Sequence, residues 1–450
     1  MNDSVGKNER PSVGKKAASP YLRTLRNMLI AFLCCAVTFS LGLVLAYCIP
    51  TSLMENNLRE SAKTLTDEGL QYSMLPDDPA WRMDNFTTTI MLNEAGHGDS
   101  NPLRSAFQNP YYKGGQDHLD MFVKGIDVRD GEGEWELYSR YWHGYLVLLK
   151  PMLMVFNLRQ MRMILLVGLV LALIYVASEI FKREGLFACA AFVVPFAAMN
   201  VVPLCYSLSL AWCPWISVAS CAFVLRMTKR RDDEAVADGL TWIVPFFVIG
   251  GITSYFDFFC APIMTLGIPL ALLIFLLRRR YAPHALRPLL MTATSALCWF
   301  LGYGSLWATK WVLSALFTGE GTVGDALQRI VLRTNTAISL DEGAEKIGVF
   351  DGLTLNFEDA FPRWALLILA VLLIGVAIYA IVNRQKHEKA LGTWVFALAF
   401  IGLIPYVWYL TTVNHCYIHH WYTFRNQMPT LLSILLVAAS LLPRQNASSQ

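Results

Sequence analysis

Charge is the first thing this chain is short of. Of its 450 residues only 16% are Asp, Glu, Lys or Arg, where a soluble globular domain carries roughly 25%. With 55% hydrophobic residues and a mean hydropathy of +0.41, that deficit excludes an ordinary water-soluble domain. Cysteine is missing where it would matter: the polar stretch 52–160 has none, so no disulfide braces it. Most of the ten cysteines fall inside apolar runs, where they act as small hydrophobes. No C-x-x-C pair, Cys/His zinc spacing or H-E-x-x-H signature occurs, which argues against a protein-only zinc site. No small-x-small cleavage site precedes the turn at Pro50, so the first apolar run reads as a signal anchor.

What the chain does have is a series of apolar runs, at 27–49, 161–181, 186–204, 206–227, 239–258, 260–277, 288–315, 363–382, 391–410 and 427–443. Each is near the roughly 20 residues needed to cross a hydrocarbon core of about 30 Å. The expected fold is therefore all-α, a polytopic transmembrane bundle of about ten helices. Basic stretches cluster at one set of helix ends (YLRTLRN, FKRE, RMTKRRDD, LRRRYAPHALR, NRQKHEK), whereas VPLCYS, YFDFFCAP and NHCYIHHWYTFR contribute only Arg425. Positive residues stay inside, so both termini are expected in the cytoplasm of a cell whose plasma membrane the chain crosses repeatedly.

That topology divides the chain into a cytoplasmic tail 1–26, a first helix 27–49, an extracytoplasmic loop 50–160 and helices two to seven at 161–316. A second extracytoplasmic loop 317–362, helices eight to ten at 363–443 and a tail 444–450 complete it. The first loop is too long to lack structure of its own. It opens on SLMENNLRESAKTLTDEGL and closes on WELYSRYWHGYLVLLKPMLMVF, both read as interfacial amphipathic helices.

Three places carry candidate chemistry, all on the outer side. In AWRMDNFTTTIMLNEAGHGDS, Asp84 and Glu94 sit in an apolar, Thr-rich segment; a buried carboxylate needs a partner, a metal or a task, though Asp84 also suits a helix N-cap. Glu94, and Asp67 with Glu68, rank below Asp84, and Asp77, Asp78, Asp127, Asp130, Glu132 and Glu134 read as solvated. Asp257 lies among phenylalanines at a helix end, costly for an ionisable group unless it functions or caps the next helix. The third place is NHCYIHHWYTFR. There His415, His419 and Tyr422 share one helical face, with Asn414, Ile418, Trp421 and Arg425 on the next. Arginine beside histidines and aromatic platforms suits a phosphate or a sugar. Arg140, Trp142 and His143 near the close of the first loop, Lys310 in YGSLWATKWVL, and Arg329 and Arg333 in ALQRIVLRTNT complete the inventory.

A first helix from the cytoplasm, a long outer loop with a carboxylate, and a bundle with polar outer turns: in this arrangement the chain resembles the GT-C superfamily of integral-membrane glycosyltransferases. The stretches RYWHGY, YFDFF and NHCYIHHWYTFR are also similar to those of uncharacterised bacterial membrane proteins, a likeness without an activity attached. The GT-C resemblance implies transfer of a sugar from a polyprenyl-phosphate-linked donor to a glycan or protein acceptor of the cell envelope, among membrane lipids and with no nucleic acid. It puts the catalytic base on Asp84, with Glu94 and Asp67 behind it and Asp257 as a further catalytic candidate. Arg425, with Lys310 or Arg333, would hold the leaving phosphate. Tyr141, Trp142 and Trp421 would stack on sugar rings, and Arg140, His143, Asn414, His415 and His419 would line the substrate. A divalent metal bridging Asp257 and a histidine stays open. The rival reading is a transporter or flippase of a lipid-linked or small polar substrate; it expects polar residues near the bilayer midplane, which this sequence nearly lacks.

Overall fold

The computed structural model describes residues 19–76, 78–98, 100–128, 132–230, 238–281, 285–339, 344–383 and 392–442. The two tails, Asp77, Asp130 and parts of the basic stretches RMTKRRDD, LRRRYAPHALR and NRQKHEK lie outside the described residues.

Among the described residues the protein is all-α apart from one small ribbon. Each apolar run picked out above falls, within those residues, largely on helix, with a turn at 207–211 inside the run 206–227, but the helices differ in what they can do. Among the described residues five are long and apolar enough to cross a membrane: Pro20–Tyr47, Leu158–Glu184, Arg287–Thr318, Arg363–Val382 and Thr393–Thr411. Leu186–Ala198 and Leu240–Phe256 are shorter apolar helices. The membrane character of the chain is therefore carried by these helices, while a count of ten spans goes beyond what their lengths establish.

Helix Ile263–Leu277 is the axis of the bundle. All its residues except Leu276 are buried, so it is apolar on every side, as a helix surrounded by other helices must be. Trp212–Arg230, Leu240–Phe256, Arg287–Thr318, Thr393–Thr411 and Met428–Ser440 pack around it. Leu240–Phe256 and Arg287–Thr318 meet backbone to backbone. A Cβ at Gly250 would stand 2.0 Å from the Trp299 carbonyl oxygen, and one at Gly302 would stand 1.9 Å from that of Phe247. Only glycine permits that approach. Pro20–Tyr47 and Arg363–Val382 lie at the periphery; the second has no buried residue at all.

The two ends of the bundle differ. At one end basic residues gather, as in the 2.6 Å Arg278–Glu184 ion pair. The other, the loop end, is capped by both long connections. The first connection contains helices Glu55–Glu68, Asn85–Gly96, Pro102–Gln108, His118–Gly125 and Leu146–Leu153. Its two strands, β1 (Pro110–Tyr112) and β2 (Trp135–Leu137), pair antiparallel with Tyr111 opposite Glu136. The expected opening helix is present as Glu55–Glu68, with Leu58, Ala62 and Leu65 buried.

The closing segment differs from expectation. Instead of one interfacial helix it forms β2, an irregular turn, then helix Leu146–Leu153. The turn is forced by packing: Gly144 donates its N–H to the Tyr255 carbonyl (2.8 Å), and a Cβ there would lie 2.2 Å from the Tyr255 ring. Next to it His143 takes a positive φ of 54°. These aromatics are core, not a membrane-surface belt: Trp142 is fully buried and donates to the Leu306 carbonyl. The second connection, with helices Thr322–Thr334 and Asp351–Ala360, covers NHCYIHHWYTFR. Asn356 is its fastener, donating to the Cys416 carbonyl and accepting from the Thr423 hydroxyl, each at 2.8 Å.

Candidate functional site

Several of the charged residues singled out above hold the fold together. Arg425 is fully buried; its Nε, Nη1 and Nη2 donate to the carbonyls of Met199, Trp421 and Ala80, at 3.0, 3.1 and 2.6 Å. It joins three separate segments and has no edge turned to a substrate. Lys310, expected near the outer end of its helix, is wholly enclosed and donates to the Ala106 carbonyl and to Asn109 Oδ1, both at 2.7 Å. Arg140 pairs with Asp325 at 3.0 Å and lies over the Tyr138 ring, and Asn414 donates to the Ile338 carbonyl at 3.1 Å. A sugar cannot stack on Trp142, because nothing of that side chain is exposed.

Asp84 serves as the N-cap of Asn85–Gly96. Its Oδ1 accepts from the Thr87 N–H at 3.1 Å and its Oδ2 from the Ser209 hydroxyl at 2.7 Å, while Ser207 receives its backbone N–H at 3.0 Å. Burial raises its carboxyl above the usual range against the lowering pull of these bonds and of nearby Arg82.

A different group remains once these are set aside. Asp257 ends the Leu240–Phe256 helix; its Oδ1 accepts the Cys260 N–H at 3.0 Å, and the Cys213 thiol lies beside the carboxylate. Its Oδ2 is buried with no hydrogen-bond partner. Arg333 reaches in from helix Thr322–Thr334. Its guanidinium lies over the Phe259 ring at 4.8 Å and the Tyr141 ring at 5.6 Å, with Nη1 buried and unpartnered. Arg82 lies 4.6 Å over the Trp421 ring, its Nε likewise buried and unpartnered.

Between the two guanidiniums runs a continuous set of rings. Trp421 meets Tyr422 at 4.7 Å, Tyr422 meets His419 at 5.2 Å, His419 meets His415 at 4.9 Å and His415 meets Phe259 at 5.0 Å. The shared face expected for His415, His419 and Tyr422 is thus realised, although the helix breaks into Val413–Ile418 and His420–Thr423.

The histidines here are neutral. His415 Nε2 lies 2.9 Å from the Phe259 carbonyl, which can only accept, so Nε2 carries the proton and Nδ1 the lone pair. Burial, with Arg333 and His419 adding to it, holds His415 well below the usual histidine range. His419 is pushed down to about 3 by burial and by the nearby Arg333 and Arg82. Phe259 itself takes a φ of +72°, a costly conformation for an aromatic residue that tends to be kept where function requires it.

Glu94 belongs to a separate buried cluster with Tyr145 and His143. It is fully buried; Tyr145 donates to its Oε2, and His143 Nδ1 is 3.0 Å from the same oxygen. His143 Nε2 is fixed by the Tyr138 carbonyl at 2.7 Å, and Glu94 Oε1 is left without a partner. The structure therefore brings together Asp257, Arg333, His415, His419 and Trp421, with Asp84 at the margin and Glu94 in its own cluster. It draws Arg140, Lys310, Asn414 and Arg425 into structural contacts. The residue that sequence reasoning missed is Arg82. A single arginine before an N-cap carries no periodicity or motif; only its place over Trp421 marks it. Among the described residues no three His, Cys, Asp or Glu side chains are placed to hold a metal ion. No family model, curated protein or solved structure matches the chain.

Proposed function

We propose that the chain is a GT-C-type membrane glycosyltransferase that moves a sugar from a polyprenyl-phosphate-linked donor to a cell-envelope acceptor, at the extracytoplasmic face and with the loop end outward. The observation that carries this reading is the buried, unpartnered charge at that end. Among the described residues the charged side-chain atoms left buried without a partner are Arg82 Nε, Glu94 Oε1, Arg162 Nε, Asp257 Oδ2 and Arg333 Nη1. Such atoms are costly in an empty site and are offset when a ligand supplies the missing acceptor or donor.

The chemistry follows from their types. The acceptor hydroxyl gives its proton to the carboxylate of Asp257, whose Oδ2 is open, and its oxygen bonds to the anomeric carbon. The bond from that carbon to the phosphate oxygen breaks, and the electron pair leaves on the phosphate. Arg333 meets that developing charge. Asp84, both of whose oxygens already accept hydrogen bonds, holds the loop in place, and His415 and His419 line the site as neutral groups.

A lipid donor also needs a place for its chain. A cavity of about 620 Å³ opens between helix Arg363–Val382 and the bundle, with Val194, Ile368, Leu372, Leu431 and Leu435 among its walls and Ala80 and Trp81 at its polar end. Arg82 is the next residue. Exposed Asp78 and Glu358, and Asp359 paired with His420 at 2.6 Å, stand at the rim. The test is transfer by proteoliposomes carrying Arg333→Gln or Asp257→Asn. Loss of transfer in stably inserted protein is expected; full transfer, or unchanged cell-envelope glycans, sinks the reading.

A further inference from the structure

Helix Thr322–Thr334 has three faces, and one of them is exposed apolar surface. Thr322 and Ala326 are buried against the bundle, with Thr322 Oγ1 3.0 Å from Ser139 Oγ, and Arg333 reaches from the same side over the Phe259 ring. A second face is polar: Asp325 pairs with Arg140 at 3.0 Å, and Gln328 is exposed. The third carries Val323, Leu327 and Val331. Their spacing of four stacks them along one side, and they are 39%, 52% and 57% exposed.

This stripe is not the lipid-facing side of a span. The helix has 13 residues, a rise of only about 20 Å against a hydrocarbon core of about 30 Å, and it carries Asp325, Arg329 and Arg333. Its apolar side instead continues a surface that a candidate span begins. Along helix Arg287–Thr318, Leu290, Leu297, Leu301, Val312 and Leu316 are exposed, a stripe of about 39 Å at about 1.5 Å per residue. That is longer than the hydrocarbon core, so its far end, with Leu316 and the exposed Phe317, stands at the headgroup boundary at the loop end. The chain turns there through Gly319, at a φ of +75°, and enters Thr322–Thr334 two residues later.

A short helix that starts at headgroup level, with one side on protein, one polar and one apolar, has the surroundings of an interfacial helix. We infer that Thr322–Thr334 lies in the plane of the leaflet at the loop end, with Val323, Leu327 and Val331 seated in its acyl-chain boundary. The partner of this face is the lipid surface, and that surface is the second support, beside the bundle, of the helix that carries Arg333.

The experiment places the photoreactive residue benzoylphenylalanine singly at Leu327, Val331 or Gln328 of the full-length protein, with Leu316 as the reference on the span. The proteins are irradiated in proteoliposomes of phosphatidylethanolamine and phosphatidylglycerol, and intact-mass spectrometry reads the adducts. Leu327 and Val331 should give phospholipid adducts at a yield near that of Leu316 and several times that of Gln328. Charging the stripe with Val323→Asp and Leu327→Asp together should cut the Val331 adduct several-fold and leave the Leu316 adduct unchanged. Yields at Leu327 and Val331 no higher than at Gln328, or no adduct at Leu316, would overturn the inference. So would an unchanged Val331 yield in the doubly charged protein, or crosslinked pairs of chains in place of lipid adducts, which would put a second copy on this face. None of these readouts involves transfer of a sugar, so the lipid contact and the glycosyltransferase reading stand or fall separately.

Discussion

Arg425 and Arg333 are arginines at the same end of one bundle, and their guanidiniums are used in opposite ways. All three nitrogens of the first donate to backbone carbonyls. The second lies over aromatic rings with a buried N–H and no acceptor. A fully bonded buried cation is part of the scaffold; one with an unmet donor is a place for something else. The same contrast separates Asp84, whose two oxygens are occupied, from Asp257, one of whose oxygens is free.

Substitution can break this comparison. The largest expected effect is on turnover: Arg333→Gln and Asp257→Asn should each lower transfer by on the order of 10²–10³-fold, the usual cost of losing a group that meets charge in the transition state. Their melting temperatures should stay near that of the wild type. Initial rates beside thermal melts check this, and a melt that collapses with the rate would place Arg333 with Arg425 as scaffold.

Arg425→Gln should do the reverse. It leaves the carbonyls of Met199, Trp421 and Ala80 short of donors, a loss of about 3 kcal/mol or more in stability. Denaturant titration in detergent reads it directly, and an undisturbed fold with weakened lipid binding would return Arg425 to the site. Lys310→Met should cost less, about 1–3 kcal/mol, because two acceptors lose their donor, Asn109 Oδ1 and the Ala106 carbonyl. Insertion and oligomeric behaviour should be unchanged.

The smallest effect concerns pH. Burial depresses both His415 and His419 in the folded state, so below the ordinary histidine value of about 6.5 the unfolded chain binds more protons than the folded one. Stability from these rings is complete above that value and falls as the pH drops through it toward about 3, where His419 titrates in the fold. Each histidine contributes at most about 1.4 kcal/mol per pH unit in that window. A His415→Gln protein should show a shallower loss of melting temperature between neutral and acid pH; an identical slope would show that the ring is not buried neutral.

How much of this could be read from the chain alone depended on how local each feature is. Helix Ile263–Leu277 follows from an apolar run, and the Asp84 cap from an Asp before Asn-Phe-Thr. The alignment of His415, His419 and Tyr422 follows from helical spacing and survives the break in the helix. The turn at His143 and Gly144 could not be read, because it answers to the Tyr255 ring, a residue far along the sequence. Arg82 left no local trace for the same reason.

By itself the sequence determined that the chain is helical, where its apolar runs lie and which helix ends carry its unusual chemistry. Those depend on hydrophobic length and charge placement, properties of neighbouring residues. Which charges build and which wait was decided by the tertiary structure. Two of the acceptors of Arg425 are 226 and 345 residues away along the chain, and Arg333 meets Phe259 and Tyr141 only because the second connection folds over the loop end. Whether a buried charge finds a partner depends on contacts between distant segments, and no spacing within one segment encodes them.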